Sequence, residues 1–322
     1  MPATTPVYMD NHATTRVDPR VVDAMLPYLT EQFGNPGSLG HAFGETARQA
    51  VERSQTYIAL AINATPNEIV FTSGATESNN LAIRGVAERE RRRGNHLLSV
   101  RTEHKAVLDP LARLARRGYE VTLLDVARHG CRHAGWLDPQ CVAESIRDDT
   151  VLVSVMLANN EIGVIEPLRE IAAVCKVRGA TLHCDATQAV GKMPVDVRDL
   201  GIDLMSFSAH KIYGPKGVGA LYVRQSRPAV RLDPQITGGG QQQGLRSGTL
   251  NVPGIVGMAR ALELCIDELP HEPGRLANLR NRLWQGLNER IADVQLCGPA
   301  LDAADDQGRP LRLPGNLDVA FG

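Results

Sequence analysis

Residues 68–93 read EIVFTSGATESNNLAIRGVAERERRR, an apolar run that ends in a glycine turn and leads straight into a helix-forming stretch. Strand, glycine turn, helix is the unit of an α/β layer. The residues just before it, 46-TARQAVERSQTYIALAINA-64, place Ala47, Ala50, Val51, Ile58 and Ala61 at helical spacing, so one face of a preceding helix is apolar. The unit then recurs. Strand 97-LLSV-100 precedes a helix over 105–117 that ends at Gly118, and strand 120-EVTLLDV-126 follows. Next come strand 150-TVLVSVMLA-158, helix 167-PLREIAAVCKVRG-179, strand 180-ATLHCDA-186 and the run 203-DLMSFSA-209. Glycine follows several of the helices, where a left-handed cap is wanted. The pattern predicts an α/β fold with a mostly parallel sheet flanked by helices.

Four polar clusters, SGATES, ANNEIG, CDATQ and SAHK, lie just beyond the C-terminal ends of apolar runs. In an open α/β sheet that edge is where ligands bind. Beyond residue 250 the character changes. Residues 254–269 and 275–291 read as helices, the second carrying Leu276, Leu279, Leu283 and Leu287. A Pro/Gly/Asp-rich loop over 298–315 and a strand over 316–322 close the chain. There is no internal repeat, and 88-ERERRR-93 reads as a solvated helix end.

Composition narrows the function classes. The 322 residues carry 35 basic and 36 acidic side chains, a formal net charge of -1. That excludes nucleic-acid binding through bulk positive charge and a polybasic membrane anchor. The N-terminus lacks the basic start and apolar core of a secretory signal, and no apolar run is long enough to span a membrane. Six cysteines without CxxC spacing read as reduced thiols in a cytoplasmic protein, and no metal set is expected.

Only five of the basic residues are lysines, so chemistry that needs a primary amine has few candidates. Lys211, in 206-SFSAHKIYGPKG-217, follows a strand among polar neighbours and could form an imine with a carbonyl cofactor; the plain alternative is a surface charge. The turn 72-TSGATES-78 could cradle a phosphate on the N–H groups of Gly74, Ala75 and Thr76, or serve only as a helix cap through Ser73 or Thr76. Asp185 ends a strand, either as a solvated cap or as the negative charge that keeps a pyridine nitrogen protonated. His104 begins a helix, as a structural residue or as a ring lying against a flat cofactor. An amine, a phosphate cradle, a pyridinium partner and a stacking group are together what pyridoxal phosphate asks for.

The chain closely resembles the cysteine desulfurases of the NifS type, within the class V group of fold type I pyridoxal-phosphate enzymes. The stretches that carry the resemblance are YMDNHATT, FGNPGS, EIVFTSGATESNNLAI, TEHKAVL, LANNEIGV, HCDATQAVGK, DLMSFSAHKIYGPKGVGALYVR and GGGQQQGLRSGTLNVPGIVG, in family order across essentially the whole chain. The resemblance implies that Lys211 holds the cofactor as a Schiff base, His104 stacks on its ring and Asp185 pairs with its nitrogen. It gives Gln188 the ring's phenolic oxygen. Gly74, Ala75, Thr76, Ser208 and His210 take the phosphate, with Thr249 reaching across from a second subunit. Asn35 and Asn160 would face the substrate, L-cysteine. It further implies a homodimer that hands sulfur to acceptor proteins such as an iron–sulfur scaffold. A large domain over 16–268 and a smaller domain from 1–15 with 269–322, incomplete at its C-terminal end, complete the expectation.

Two departures stand out. His12 occupies a position where the family more often has asparagine, which leaves the central assignments unchanged. An SSGSAC-like cysteine loop and the arginine that clamps the substrate carboxylate occur nowhere in the chain, and Cys184, beside Asp185, reads as apolar filler. A thiol has to be activated and brought to the substrate sulfur, so little or no turnover is expected from these residues alone. Three functions follow: a cysteine desulfurase whose sequence is cut short, a catalytically silent cofactor-binding or scaffold protein, or a related lyase or transaminase. The first is the reading adopted for the protein.

Overall fold

The computed structural model describes residues 6–322, so residues 1–5 of the small-domain segment expected over 1–15 lie outside it. Seven short runs lie side by side as one sheet: Ile69–Thr72 (β1), His96–Val100 (β2), Glu120–Leu124 (β3), Thr150–Ser154 (β4), Thr181–Asp185 (β5), Leu204–Ser208 (β6) and Gly219–Val223 (β7). The order across the sheet is β1-β7-β6-β5-β4-β2-β3. Strands β2 to β6 pair in parallel, and β7 alone runs against its neighbours β1 and β6. The C-terminal ends of β1, β2, β4, β5 and β6 therefore share one edge. That edge collects the polar clusters.

Helices cover both faces. In chain order they are Pro19–Met25 (α1), Pro27–Thr30 (α2), Ala42–Ala61 (α3), Ala75–Arg89 (α4), Lys105–Ala115 (α5), Pro139–Ser145 (α6), Leu168–Arg178 (α7), Val252–Glu268 (α8) and Glu272–Arg290 (α9). Leu97 of β2 packs into a core with Leu81 and Ile83 of α4 and Leu111 and Leu114 of α5. Its neighbour Leu98 points the other way, into a core with Ile58 of α3, Ile171 of α7 and Met258 of α8. Because both faces are covered, the central strands are apolar at successive positions instead of alternating. Each fully buried leucine or isoleucine contributes about 1.5–3 kcal/mol.

The elements read from sequence are present, most of them shortened at the ends. The strand expected over 150–158 stops at Ser154, and the helix expected from residue 46 begins at Ala42, where His41 Nδ1 accepts from the Gly44 amide. Strand β7 and helices α1, α2 and α6 had no sequence counterpart. The strand expected over 316–322 is Val319–Phe321 (β9), paired antiparallel with Val294–Leu296 (β8) in a separate two-stranded sheet. The leucine stripe of α9 is not a core face, since Leu279 and Leu283 remain exposed.

Candidate active site

A cleft of about 1080 Å³ opens at the shared strand edge. It is bounded by the turn after β1, the loops after β2, β4, β5 and β6, the turn before β7, the chain around residues 9–14, and residues 315–318. The parallel arrangement of β1, β2, β4, β5 and β6 is what brings these segments together.

At one end α4 begins. Its cap residue, Gly74, has φ +149, a conformation open to glycine, and no side chain caps the helix. The first-turn amides at Ala75 and Thr76 are thus free to face an anion, and the capping alternative through Ser73 or Thr76 does not hold. A Cβ on Gly74 would stand 3.7 Å from Ser208 Oγ, so the β1 turn and the β6 end form one cradle. At Gly219 the backbones approach so closely that a Cβ would come within 2.7 Å of Gly74 Cα. His210 completes this end, its Nδ1 3.1 Å from Thr14 Oγ1. Burial, and then the neighbouring lysine charges, push its imidazole down to about 4, so it is neutral at pH 7.

Asp185 stands at the end of β5, almost fully buried. Its Oδ2 accepts from Asn79 Nδ2 at 2.7 Å and its Oδ1 from the Thr187 amide at 3.0 Å. Both oxygens are held, so the group has one orientation. Within reach of its charge is Glu103, buried with both side-chain oxygens unpartnered. Burial, and then the nearby Asp185 charge, push Glu103 well above the usual carboxylate range. Thr187 Oγ1 and His12 Nδ1 are also buried without partners, and both residues line the cleft.

Lys211 lies in the turn after β6. Its Nζ donates to the carbonyls of His12 and Ala13, the second at 2.7 Å. Burial lowers its pKa, while the Asp10 and Asp185 charges pull the other way, so the amine loses its proton more readily than an exposed lysine. The same His12 carbonyl accepts from Gln188 Nε2 at 2.8 Å. Opposite, His104 caps α5, its Nδ1 accepting from the Ala106 amide at 3.0 Å, with the rest of the ring at the cleft surface.

Gly74, Ala75, Thr76, His104, Asn160, Asp185, Gln188, Ser208, His210 and Lys211 all line this one cleft. Asn35 and Thr249 do not; Asn35 instead accepts from the Gly37 amide at 2.9 Å. Sequence reasoning missed the His12 and Ala13 carbonyls, the Asn79 clamp and the residues at 315–318. Backbone carbonyls leave no mark in a sequence. Asn79, one turn into the helix that follows the glycine turn, was open to notice.

The residues present suit pyridoxal phosphate. The uncapped helix start with its hydroxyl and imidazole neighbours matches a phosphate, the doubly held Asp185 a pyridinium nitrogen, and Lys211 an aldehyde. The unpartnered Thr187 hydroxyl and His12 nitrogen are polar atoms that a bound group can satisfy.

Residues 7–308 match the family model described as aminotransferase class-V. A cysteine desulfurase IscS of Anaeromyxobacter dehalogenans (strain 2CP-C) is 51% identical over 316 residues, which cover 98% of this chain and 74% of that protein. Among solved structures, a NifS-like protein superposes with a TM-score of 0.89 at 39% identity, covering 98% of this chain and 82% of its own. A structure described as SspA in complex with cysteine gives a TM-score of 0.79 at 36% identity, over 90% of this chain and 83% of that one.

Proposed function

Since the chain belongs to the class-V aminotransferase family, we propose that its cleft holds pyridoxal phosphate and L-cysteine through the residues that meet there. The protein is a pyridoxal-phosphate-dependent cysteine desulfurase, which takes sulfur from cysteine and leaves alanine. The observation that carries the residue assignment is the convergence of Lys211, Asp185 and the uncapped start of α4 on a single cleft.

Bound there, the cofactor supplies an electron-withdrawing ring that stores the electron pair released when the substrate loses a proton. Lys211 is the amine that would hold its aldehyde carbon and the base that would move protons at the substrate. Its depressed pKa raises the share of neutral amine available for both tasks. Ala75, Thr76, Ser208 and His210 hold the phosphate. Asp185 faces the ring nitrogen, His104 covers the ring, and Gln188 donates to the phenolic oxygen. Asn160 faces the substrate. Among the described residues no cysteine lines the cleft, so the thiol that takes the sulfur reaches it from elsewhere.

A homodimer, with Thr249 of one subunit at the phosphate of the other, is part of the proposal. The exposed apolar residues Leu26, Leu29, Phe33, Leu39 and Phe43 support it, Phe33 and Phe43 standing 5.6 Å apart. So is delivery of sulfur to an acceptor protein such as an iron–sulfur scaffold. Six free cysteines support a cytoplasmic location, and among the described residues no helix is long and apolar enough to cross a membrane. The separate β8–β9 sheet supports division into a large domain over 16–268 and a small one from 1–15 with 269–322.

The test is reconstitution with pyridoxal phosphate, followed by borohydride fixation and mass spectrometry. The cofactor should become fixed at Lys211 and at no other lysine, and L-cysteine should yield alanine once a thiol acceptor is added. Absence of a visible absorbance band, or fixation undiminished in Lys211→Ala, would overturn the assignment.

A further inference from the structure

Gln188 and Lys192 lie four residues apart in the turn that follows β5, where the Val190 amide bonds the Ala186 carbonyl at 3.0 Å. Lys192 Nζ donates to Gln188 Oε1 at 2.6 Å, and Gln188 Nε2 donates to the His12 carbonyl at 2.8 Å. An amide side chain has two orientations related by a flip. An ammonium has only donors to offer and a carbonyl only lone pairs, so both neighbours of Gln188 select the same orientation. The flipped amide would meet Lys192 with N–H groups and His12 with an oxygen. Both contacts would then be lost.

We propose that Lys192 is a positioning residue of the cofactor pocket, occupying Gln188 Oε1 so that the amide presents its N–H donors to the cleft. The proposal rests on the reading of Gln188 as a donor to the cofactor. The four groups form one chain: Lys192 to Gln188, Gln188 to the His12 carbonyl, and that carbonyl to Lys211. The setting of the Gln188 amide is thereby tied to the place of the Lys211 amine. Burial, and then the Lys211 charge, bring Lys192 down to about 7, as suits two amines sharing one wall. Lys192 also faces a second, smaller cavity of about 280 Å³ behind Lys211, beside Cys265. Among the described residues, Gln188 Oε1 is the hydrogen-bond acceptor of Lys192 Nζ.

The experiment uses the full chain loaded with pyridoxal phosphate and reads cofactor affinity together with the position and pH midpoint of the visible band. Lys192→Met keeps most of the volume and removes the donor, and Lys192→Gln removes the charge and keeps a shorter donor. Either is combined with Gln188→Ala. Below pH 7, where the Lys192 ammonium persists, Lys192→Met should weaken cofactor binding about tenfold, the worth of one hydrogen bond to a charged group, and move the band or its midpoint. In the double variant the loss should stay within about twofold of the Gln188→Ala loss, since the lysine acts through the amide. A Lys192→Met band and affinity equal to wild type, or losses that add, would sink the proposal. Loss of folding in both lysine variants would make Lys192 a structural residue and also overturn it. A wild-type chain with no band would fail the cofactor assignment itself, which is a different result.

Discussion

Asn79 of α4 donates through Nδ2 to Asp185 Oδ2 of β5 at 2.7 Å, and both residues are buried. The helix whose start at Ala75 has no side-chain cap thus also fixes, one turn later, a carboxylate that lines the same cleft. One rigid element sets the spacing between two parts of the site.

Asn79→Ala should therefore damage binding more than folding. The change removes one hydrogen bond, so stability should fall by about 1–2 kcal/mol. Asp185, held at one oxygen only, is then free to turn, and affinity for pyridoxal phosphate should drop tenfold or more. Titration of the visible band against cofactor concentration measures it. Wild-type affinity in a folded Asn79→Ala chain would separate Asn79 from the site.

Glu166 gives a pH prediction. It is buried, its Oε2 accepts from the Leu137 amide at 2.8 Å, and burial raises it to about 8. The native chain keeps a proton that the unfolded chain loses near pH 4.5. Between those values the folded state binds more protons than the unfolded state, so stability falls as pH rises from about 5 to 8. The slope from this one group approaches about 1.4 kcal/mol per pH unit. Glu166→Gln keeps an acceptor for Leu137 and cannot ionise. Its urea midpoint should fall less steeply with pH over that window, and profiles that run parallel to wild type would contradict the account.

How much of this was legible in the sequence depended on whether the signal was local. The run Ile69–Phe71 with Gly74 after it announces a strand, a turn and a helix start, because apolar spacing and glycine are local facts. Lys211 and Asp185 were found because each closes an apolar run. Strand β7 was missed because its run opens on glycines, and Gly219 is there for a close approach to Gly74, which only the assembled sheet reveals. The part His12 plays was underrated for a similar reason. It acts through its carbonyl, which any residue type supplies, and it comes from a segment nearly 200 residues from Lys211.

Cys184 is the thiol nearest Asp185 in sequence, and the structure makes it inert. It is completely buried, and burial, with the Asp185 charge added, pushes its thiol well above the ordinary cysteine range. In the native chain at pH 8, iodoacetamide should label exposed Cys131 first and leave Cys184 and buried Cys175 unmodified until the chain is unfolded. Cys184→Ala should leave alanine formation, assayed with an added thiol acceptor, within about twofold of wild type. Peptide mass mapping reads the labelling, and early modification of Cys184 would place it within reach of substrate.

Arg312 makes the sharpest stability prediction. It is 2% exposed, and its guanidinium donates to the Pro299 carbonyl at 2.9 Å, to Asn316 Oδ1 at 2.7 Å and to the Cys297 carbonyl. Burial, with the Arg280 charge adding to it, lowers the group only to about 10, so it stays charged at neutral pH. Asn316 in turn donates to the Glu161 carbonyl at 2.7 Å and lines the cleft, so Arg312 joins the loop at 297–299 to the rim at 315–318. Arg312→Met fills much of the space but leaves two buried acceptors and one half-buried one unpaired, which should cost about 3 kcal/mol. Arg312→Lys keeps the charge, yet one ammonium has no fork to reach all three acceptors and should recover only part of the loss. The backbone bonds of Leu311 and Leu313 to residues 163–165 do not involve the side chain and should persist. Hydrogen exchange should then quicken at residues 314–322 and stay unchanged in β4, β5 and β6. Uniform quickening across the seven-stranded sheet would mean that Arg312 supports the whole fold and not the rim of the cleft.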